Sequence, residues 1–333
     1  MRIVFLGTPE VAVPALDALV AAEDVEVAAV ITNPDRARGR SRTPVPPPVK
    51  VAAELHGLQV WQPAKPVEVL DELHALEVDA CAVVAYGALL PQRVLDAGGH
   101  GFVNLHFSLL PRWRGAAPVQ HALRAGDRVT GVTTFVLDRG MDTGPIIDRV
   151  EVPIRPEESA GALLERLATL GAPVLVDSIR RLVAGQPPTP QPDEGATLAP
   201  KISPEDVAID FGLPARAVVD LVRSADPAPG AHTSFEGRRL KVLRAAVVAP
   251  EHRAAGGRAA GGSNEAATDP AAVDEPAGTI LEVTRAGVVV ACGHGAVLLE
   301  DVQPEGKARM DGAAFVNGYH PQPGTVLGAS DPK

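Results

Sequence analysis

Phe102-Val103-Asn104-Leu105-His106-Phe107-Ser108-Leu109-Leu110-Pro111-Arg112-Trp113-Arg114-Gly115 puts two polar residues, Asn104 and His106, at the end of an apolar run with strand character. In an extended chain residues i and i+2 share a face, so both side chains point into one cleft. The Ser-Leu-Leu-Pro turn follows, and an arginine pair flanks Trp113. One short segment therefore offers an imidazole, an amide donor and a rigid loop. An isolated Asn-x-His reads more simply as a satisfied buried histidine beside a structural asparagine. The longer string reverses that reading.

Working outward, the first half alternates β-rich runs with helical patterns, the rhythm of an α/β fold with an open, mostly parallel, Rossmann-like sheet. Residues 2–7 read as a strand, Thr8 as an N-cap with Pro9 at the first helical position, and 11–22 as a helix with Val13, Leu16, Leu19 and Val20 inward. A second strand spans 25–32. The proline-rich stretch 33–48 is a loop, and a helix over 49–56 ends at Gly57. Residues 78–86 read as a buried central strand and 102–108 as another. Asn104 and His106 thus fall at a strand's C-terminal end, where open α/β sheets place their ligands. Strands over 130–137 and 146–150 flank the loop Asp138-Arg139-Gly140-Met141-Asp142-Thr143-Gly144, and a helix follows over about 158–184.

The domain reading is 1–185, a linker over 186–204 rich in Pro, Gly and polar residues, and 205–333. In the last part a helix near 214–224 precedes short strands around 232–235, 239–248, 279–284, 288–292 and 297–303. Close spacing of short strands points to a small OB-like β-barrel. Residues 254–277 are Ala/Gly-rich with almost no large apolar side chains, and read as a disordered insertion in a barrel loop.

Composition narrows the class. A chain of 333 residues accommodates two domains with ordinary cores. The N-terminus lacks the regions of a secretory signal, and no apolar run suggests a membrane span, so the expectation is a cytoplasmic protein without membrane contact. Cys81 and Cys292 lie far apart without metal-ligand spacing, so buried thiols are expected and no metal is implied. Gly7-Thr8-Pro9 follows the first strand, but it lacks the three-glycine fingerprint, and Pro9 removes a donor a pyrophosphate needs. A nicotinamide cofactor is rejected. The net charge of −10 argues against a nucleic-acid partner at first. Local patches argue otherwise: Arg36, Arg38, Arg40, Arg42 and Lys50 have no acid between them, Arg238, Arg239, Lys241 and Arg244 cluster later, and Lys307 with Arg309 forms a third group.

Asn104-Leu105-His106, Ser108-Leu109-Leu110-Pro111 with Trp113-Arg114-Gly115-Ala116-Ala117-Pro118, and Asp138 to Gly144 resemble the signature blocks of the methionyl-tRNA formyltransferase family. The opening Arg2 to Glu10, the basic loop from Asn33-Pro34-Asp35-Arg36 through Pro48-Val49-Lys50, and the late Gln303-Pro304-Glu305-Gly306-Lys307 with Met310 extend the resemblance over nearly the whole chain. It implies the formyltransferase fold, and transfer of a formyl group from 10-formyltetrahydrofolate, as co-substrate and without metal, to the amino group of methionyl-initiator tRNA, by a monomer.

That reaction passes through a tetrahedral oxyanion and an ammonium that must lose a proton. An amide donor suits the oxyanion, an imidazole can donate to it or to the leaving nitrogen, and a carboxylate can orient the ring or accept a proton through water. Asn104, His106 and Asp142 match the family's catalytic trio. Ser108, Leu109, Leu110 and Pro111 correspond to its folate-binding segment, and Tyr86-Gly87 is expected to help form the same pocket. Arg36, Arg40 and Arg42 match basic positions of the loop that engages the tRNA acceptor end, and Arg239 and Lys241 are expected to add electrostatic affinity.

Departures are few. Phe107 replaces a commonly small residue, and either narrows the site or packs away from it. Met141 replaces the commoner leucine, and His232 a frequent aromatic. Other folate-dependent formyltransferases and formyl-folate hydrolases share the trio. A glycinamide enzyme needs a glycine-rich phosphate loop where Thr8-Pro9-Glu10 stands, and a sugar-modifying enzyme usually carries a dehydrogenase domain larger than this tail. A catalytically silent tRNA-binding module predicts loss of a trio residue, and none is lost.

Overall fold

The computed structural model describes residues 1–37, 43–248 and 275–328. Two compact units emerge. The first comprises Met1–Ala122, Arg128–Arg155 and Ala162–Lys201, and the second Leu123–Asp127, Pro156–Gly161 and the chain from Ile202 onward.

The first unit is built on strands β1 (Arg2–Gly7) and β2 (Glu26–Ile31), a small hairpin of β3 (Arg36–Ala37) and β4 (Pro44–Val45), then β5 (Val60–Trp61), β6 (Ala80–Val84), β7 (Phe102–His106), β8 (Val129–Val136) and β9 (Ile146–Pro153). The sheet order is β5-β2-β1-β6-β7-β8-β9. Its first five strands run parallel, and β7-β8 and β8-β9 are antiparallel. β6 is buried along its whole length, as an apolar run without alternation requires. Antiparallel pairing sets the end of β8 beside the start of β7, Val136 opposite Val103, and the loop that follows β8 lines one cavity with residues from the C-terminal ends of β6 and β7.

The first helix differs in its start. A short 3-10 turn over Glu10–Ala12 precedes the α-helix Val13–Ala21, and neither has a side-chain cap. Thr8 does not cap. Its hydroxyl donates to the Tyr86 carbonyl at 3.0 Å, tying the turn after β1 to the end of β6. Tyr86 also falls outside its expected strand, because Ala85 before it is left-handed at φ 46°.

The segment expected as a linker follows the first unit closely. Thr189 exchanges two 2.7 Å backbone hydrogen bonds with Ile146, and Arg114 bridges Leu198 in parallel register. Proline and glycine content excluded regular structure there, but not contact.

The second unit holds β10 (Ala231–Phe235), β11 (Arg238–Val247), β12 (Ile280–Thr284), β13 (Gly287–Ala291), β14 (Ala296–Pro304) and β15 (Met310–Asp311). The order is β10-β11-β14-β13-β12, with β15 on β14, all antiparallel. Its inner face packs Leu240, Val242, Val290 and Val297 with the helix Ala215–Ala225 and with Phe315 of the helix Gly312–Tyr319, the apolar interior of a small barrel-like domain. Residues 254–274 of the Ala/Gly-rich insertion lie outside the described residues. Cys81 and Cys292 are both free and buried, and burial pushes the Cys292 thiol up to about 12. Among the described residues, no helix is long and apolar enough to cross a membrane.

Candidate active site

Asn104 and His106 leave β7 on one side and line a cavity of about 580 Å³ in the first unit. Tyr86 and Gly87 line it too, as does Asp142 from the loop after β8. The expected trio thus shares one concave site. Its volume lies within the range of small-molecule pockets.

His106 is held on several sides. Its ring is buried and meets Phe135 edge to face, 6.3 Å between centroids. Nε2 donates to the Trp113 carbonyl at 2.9 Å. A carbonyl only accepts, so the neutral ring keeps its proton on Nε2, and Nδ1 is the atom that titrates. Nδ1 lies 3.8 Å from Asp142 Oδ2, beyond hydrogen-bond length but within strong electrostatic reach. Burial pulls the His106 pKa below the usual histidine value, opposed by the Asp142 charge and by the Trp113 carbonyl. A neutral imidazole at physiological pH, able to take a proton and then be stabilised as a cation by Asp142, is the result.

Asp142 owes its place to backbone geometry. It is left-handed, φ 54°, and Oδ2 accepts from the Gly115 amide at 2.7 Å. The capping role in this loop belongs to Asp138, whose Oδ1 accepts from the Gly140 amide and the Thr143 hydroxyl. Gly115 sits at φ 127°, and a Cβ there would stand 2.6 Å from the Ala199 carbonyl oxygen. Gly115→Ala should therefore lower both the melting temperature and kcat. A wild-type thermal melt with wild-type turnover would contradict that contact.

Ser108, Leu109, Leu110 and Pro111 do not line the cavity. Leu110 is fully buried, and its amide donates to Thr133 Oγ1. The Ser108 hydroxyl donates to the Arg112 carbonyl at 2.6 Å, and Thr133 Oγ1 donates back to the Ser108 carbonyl. The turn closes on itself and on β8, and it aims the Trp113 carbonyl rather than forming the wall. Phe107, open on sequence grounds, does line the cavity. Regular pairing ends at His106, so alternation no longer turns residue 107 away.

Residues 1–179 match the family described as Formyl transferase, and residues 201–320 that described as Formyl transferase, C-terminal domain. The chain belongs to the formyl transferase family. A methionyl-tRNA formyltransferase of Streptomyces griseus is 45% identical over 98% of this chain and 100% of its own length. One from Thermobifida fusca is 46% identical over 96% of each chain. In fold the chain is similar to an N-formyltransferase from Helicobacter canadensis solved with folinic acid and dTDP-3-aminofucose, with TM-score 0.63 and 16% identity over 90% of this chain and 99% of that one.

All three trio residues fall within this formyl transferase chain's N-terminal match. The basic positions divide. Arg36 is exposed on the hairpin, and Arg40 and Arg42 lie outside the described residues, as does Arg38. Lys50 does not extend the basic stretch: it pairs with Asp35 at 3.0 Å, and Gln62 together with Lys50 holds that carboxyl below its usual range. In the second unit Arg244 pairs with Glu300 and Asp301, and Arg309 with Asp301 and Asp226. Arg239 lines a cavity of about 480 Å³ with Arg238, Lys307 and Tyr319. Lys241 donates to the Pro229 carbonyl and stands opposite His232 in the ladder. Among the described residues, no group of three or more His, Cys, Asp or Glu is arranged to hold a metal ion.

Proposed function

We propose that this chain transfers the formyl group of 10-formyltetrahydrofolate to the amino group of methionyl-initiator tRNA. The observation that carries the reading is the shared cavity of Asn104, His106 and Asp142, in a chain whose relatives bear that name at 45–46% identity over nearly its full length.

The folate lies along the Tyr86-Gly87 side of the cavity with its formyl carbon between Asn104 and His106. The methionyl amine attacks that carbon. The Asn104 amide donates to the oxyanion, where a preorganised donor stabilises charge that the ground state lacks. His106 Nδ1 accepts the proton of the new ammonium and passes it to the leaving N10 of the folate. Asp142 stabilises the transient imidazolium and keeps Nδ1 turned toward the reacting atoms. Burial helps, because it leaves the ring neutral and ready to accept.

Arg36, Arg40 and Arg42 engage the acceptor end of the tRNA, and Arg239 and Lys241 add electrostatic grip from the second unit. Arg36→Ala, Arg40→Ala and Arg42→Ala should raise the KM for tRNA while leaving that for folate alone. Equal weakening toward folate would show that the loop shapes the cavity instead. The enzyme acts in the cytoplasm as a monomer. Incubation with 10-formyltetrahydrofolate and charged initiator tRNA, followed by hydrolysis and detection of N-formylmethionine, tests the reading. No product there, with formylation of glycinamide ribonucleotide in a parallel reaction, would transfer the chain to a different formyl acceptor.

A further inference from the structure

The two loops that orient His106 both depend on backbone conformations that L residues rarely adopt. Trp113 is left-handed at φ 65°, and Asp142 at φ 54°. Neither is glycine, so each conformation persists only where its surroundings over-determine it.

The surroundings come from one strap, residues 187–200. Gln191 Nε2 donates to the carbonyls of Asp142 and Gly144 at 2.9 and 2.7 Å. Its Oε1 accepts from Arg114 Nε and from a terminal guanidinium nitrogen at 3.1 and 2.8 Å. Two carbonyls on one side and a guanidinium on the other leave a single orientation for the amide. Six residues on, the Thr197 hydroxyl accepts from the Trp113 amide at 2.9 Å, and its carbonyl accepts from the Arg114 amide at 2.9 Å. Gln191 therefore ties the Asp142 loop to Arg114, and Thr197 ties the same neighbourhood to Trp113.

The consequences meet at one ring. Trp113 supplies the carbonyl on His106 Nε2, and Gly115, next to Arg114, supplies the amide that holds the carboxylate facing Nδ1. Both sides of the imidazole are thus set through the strap. Gln191 and Thr197 fall between the two segments that match the family, 1–179 and 201–320.

We propose that Gln191 and Thr197 are positioning residues for formyl transfer, clamping the Asp142 and Trp113 loops so that His106 and Asp142 keep a reactive geometry. The inference rests on the function proposed above. Neither residue lines the cavity.

The test uses the full chain and compares Gln191→Glu, Thr197→Val and Thr197→Ser with wild type and with His106→Ala, measuring kcat, both KM values and the pH profile of kcat/KM. Gln191→Glu keeps an acceptor for Arg114 but presents oxygen to both carbonyls. Thr197→Val keeps the shape and removes the hydroxyl. Each should lower kcat by up to about 10²-fold, the scale of a small misplacement of reacting groups, with smaller changes in KM. In Thr197→Val, which adds no charge, the acid limb should move to lower pH, because a displaced carbonyl no longer favours the protonated ring. Thr197→Ser should restore most of the loss. Wild-type kcat in both Gln191→Glu and Thr197→Val, with an unmoved acid limb in Thr197→Val, would overturn the proposal, as would losses confined to KM. Those results are separable from failure of the underlying reading, which would show as an inactive wild type or an active His106→Ala.

Discussion

His106→Ala should lower kcat for formylation by roughly 10²-fold or more, the usual contribution of a positioned acid or base. Asn104→Ala should lower it by roughly 10²- to 10³-fold, the scale for one lost oxyanion donor. The two losses have different origins. In the proposed mechanism His106 moves a proton through Nδ1, since Nε2 is committed to the Trp113 carbonyl. Asn104, at the adjacent same-face position of β7, is the donor proposed for the oxyanion. Single-turnover kinetics with saturating folate and charged tRNA separate chemistry from binding, and both variants should bind folate as wild type does. Near-normal turnover in both would remove the trio from the chemistry.

Asp142→Asn should also reduce kcat by roughly 10²-fold, and its pH profile tells why. In the wild type, burial lowers the His106 pKa, and the Asp142 charge raises it part of the way back. In the proposed mechanism the neutral ring is the reactive form, so activity should fall as pH drops through that pKa. Removing the negative charge lowers the pKa further, and the acid limb of Asp142→Asn should therefore lie at lower pH than that of wild type. A limb that stays put or rises would mean that the carboxylate does not act through the ring. Asparagine can still accept from the Gly115 amide, so the loop anchor is retained while the charge is lost.

Much of this was legible in the sequence because it is periodic or local. The unbroken apolar run before Tyr86 became a central buried strand, and the Asn104-His106 spacing put both side chains in one cavity. The strands of the second unit lie close to the expected positions, since short apolar runs at close spacing are a short-range signal. What escaped was tertiary. Thr8 had the chemistry of a cap but met the Tyr86 carbonyl across the sheet. Lys50 read as part of a basic run until Asp35, fifteen residues earlier in the chain, closed on it. Ser108 to Pro111 lie next to the cavity without lining it, a detail set by the hydrogen bonds of the turn to Arg112 and Thr133. Gln191 and Thr197 carried no local signal, being polar residues in a Pro-rich stretch whose partners lie 47 to 84 positions away.

The account comes down to whether one formyl carbon sits between the amide, the imidazole and the carboxylate. A crystal structure of the protein with 10-formyl-5,8-dideazafolate, a stable analogue that carries its formyl group on N10 as the donor does, measures that directly. The formyl oxygen should lie within about 3.2 Å of Asn104 Nδ2, with the formyl carbon beside His106 Nδ1 and the fused ring against Tyr86-Gly87. A folate seated elsewhere, or a formyl group turned away from both side chains, would contradict it.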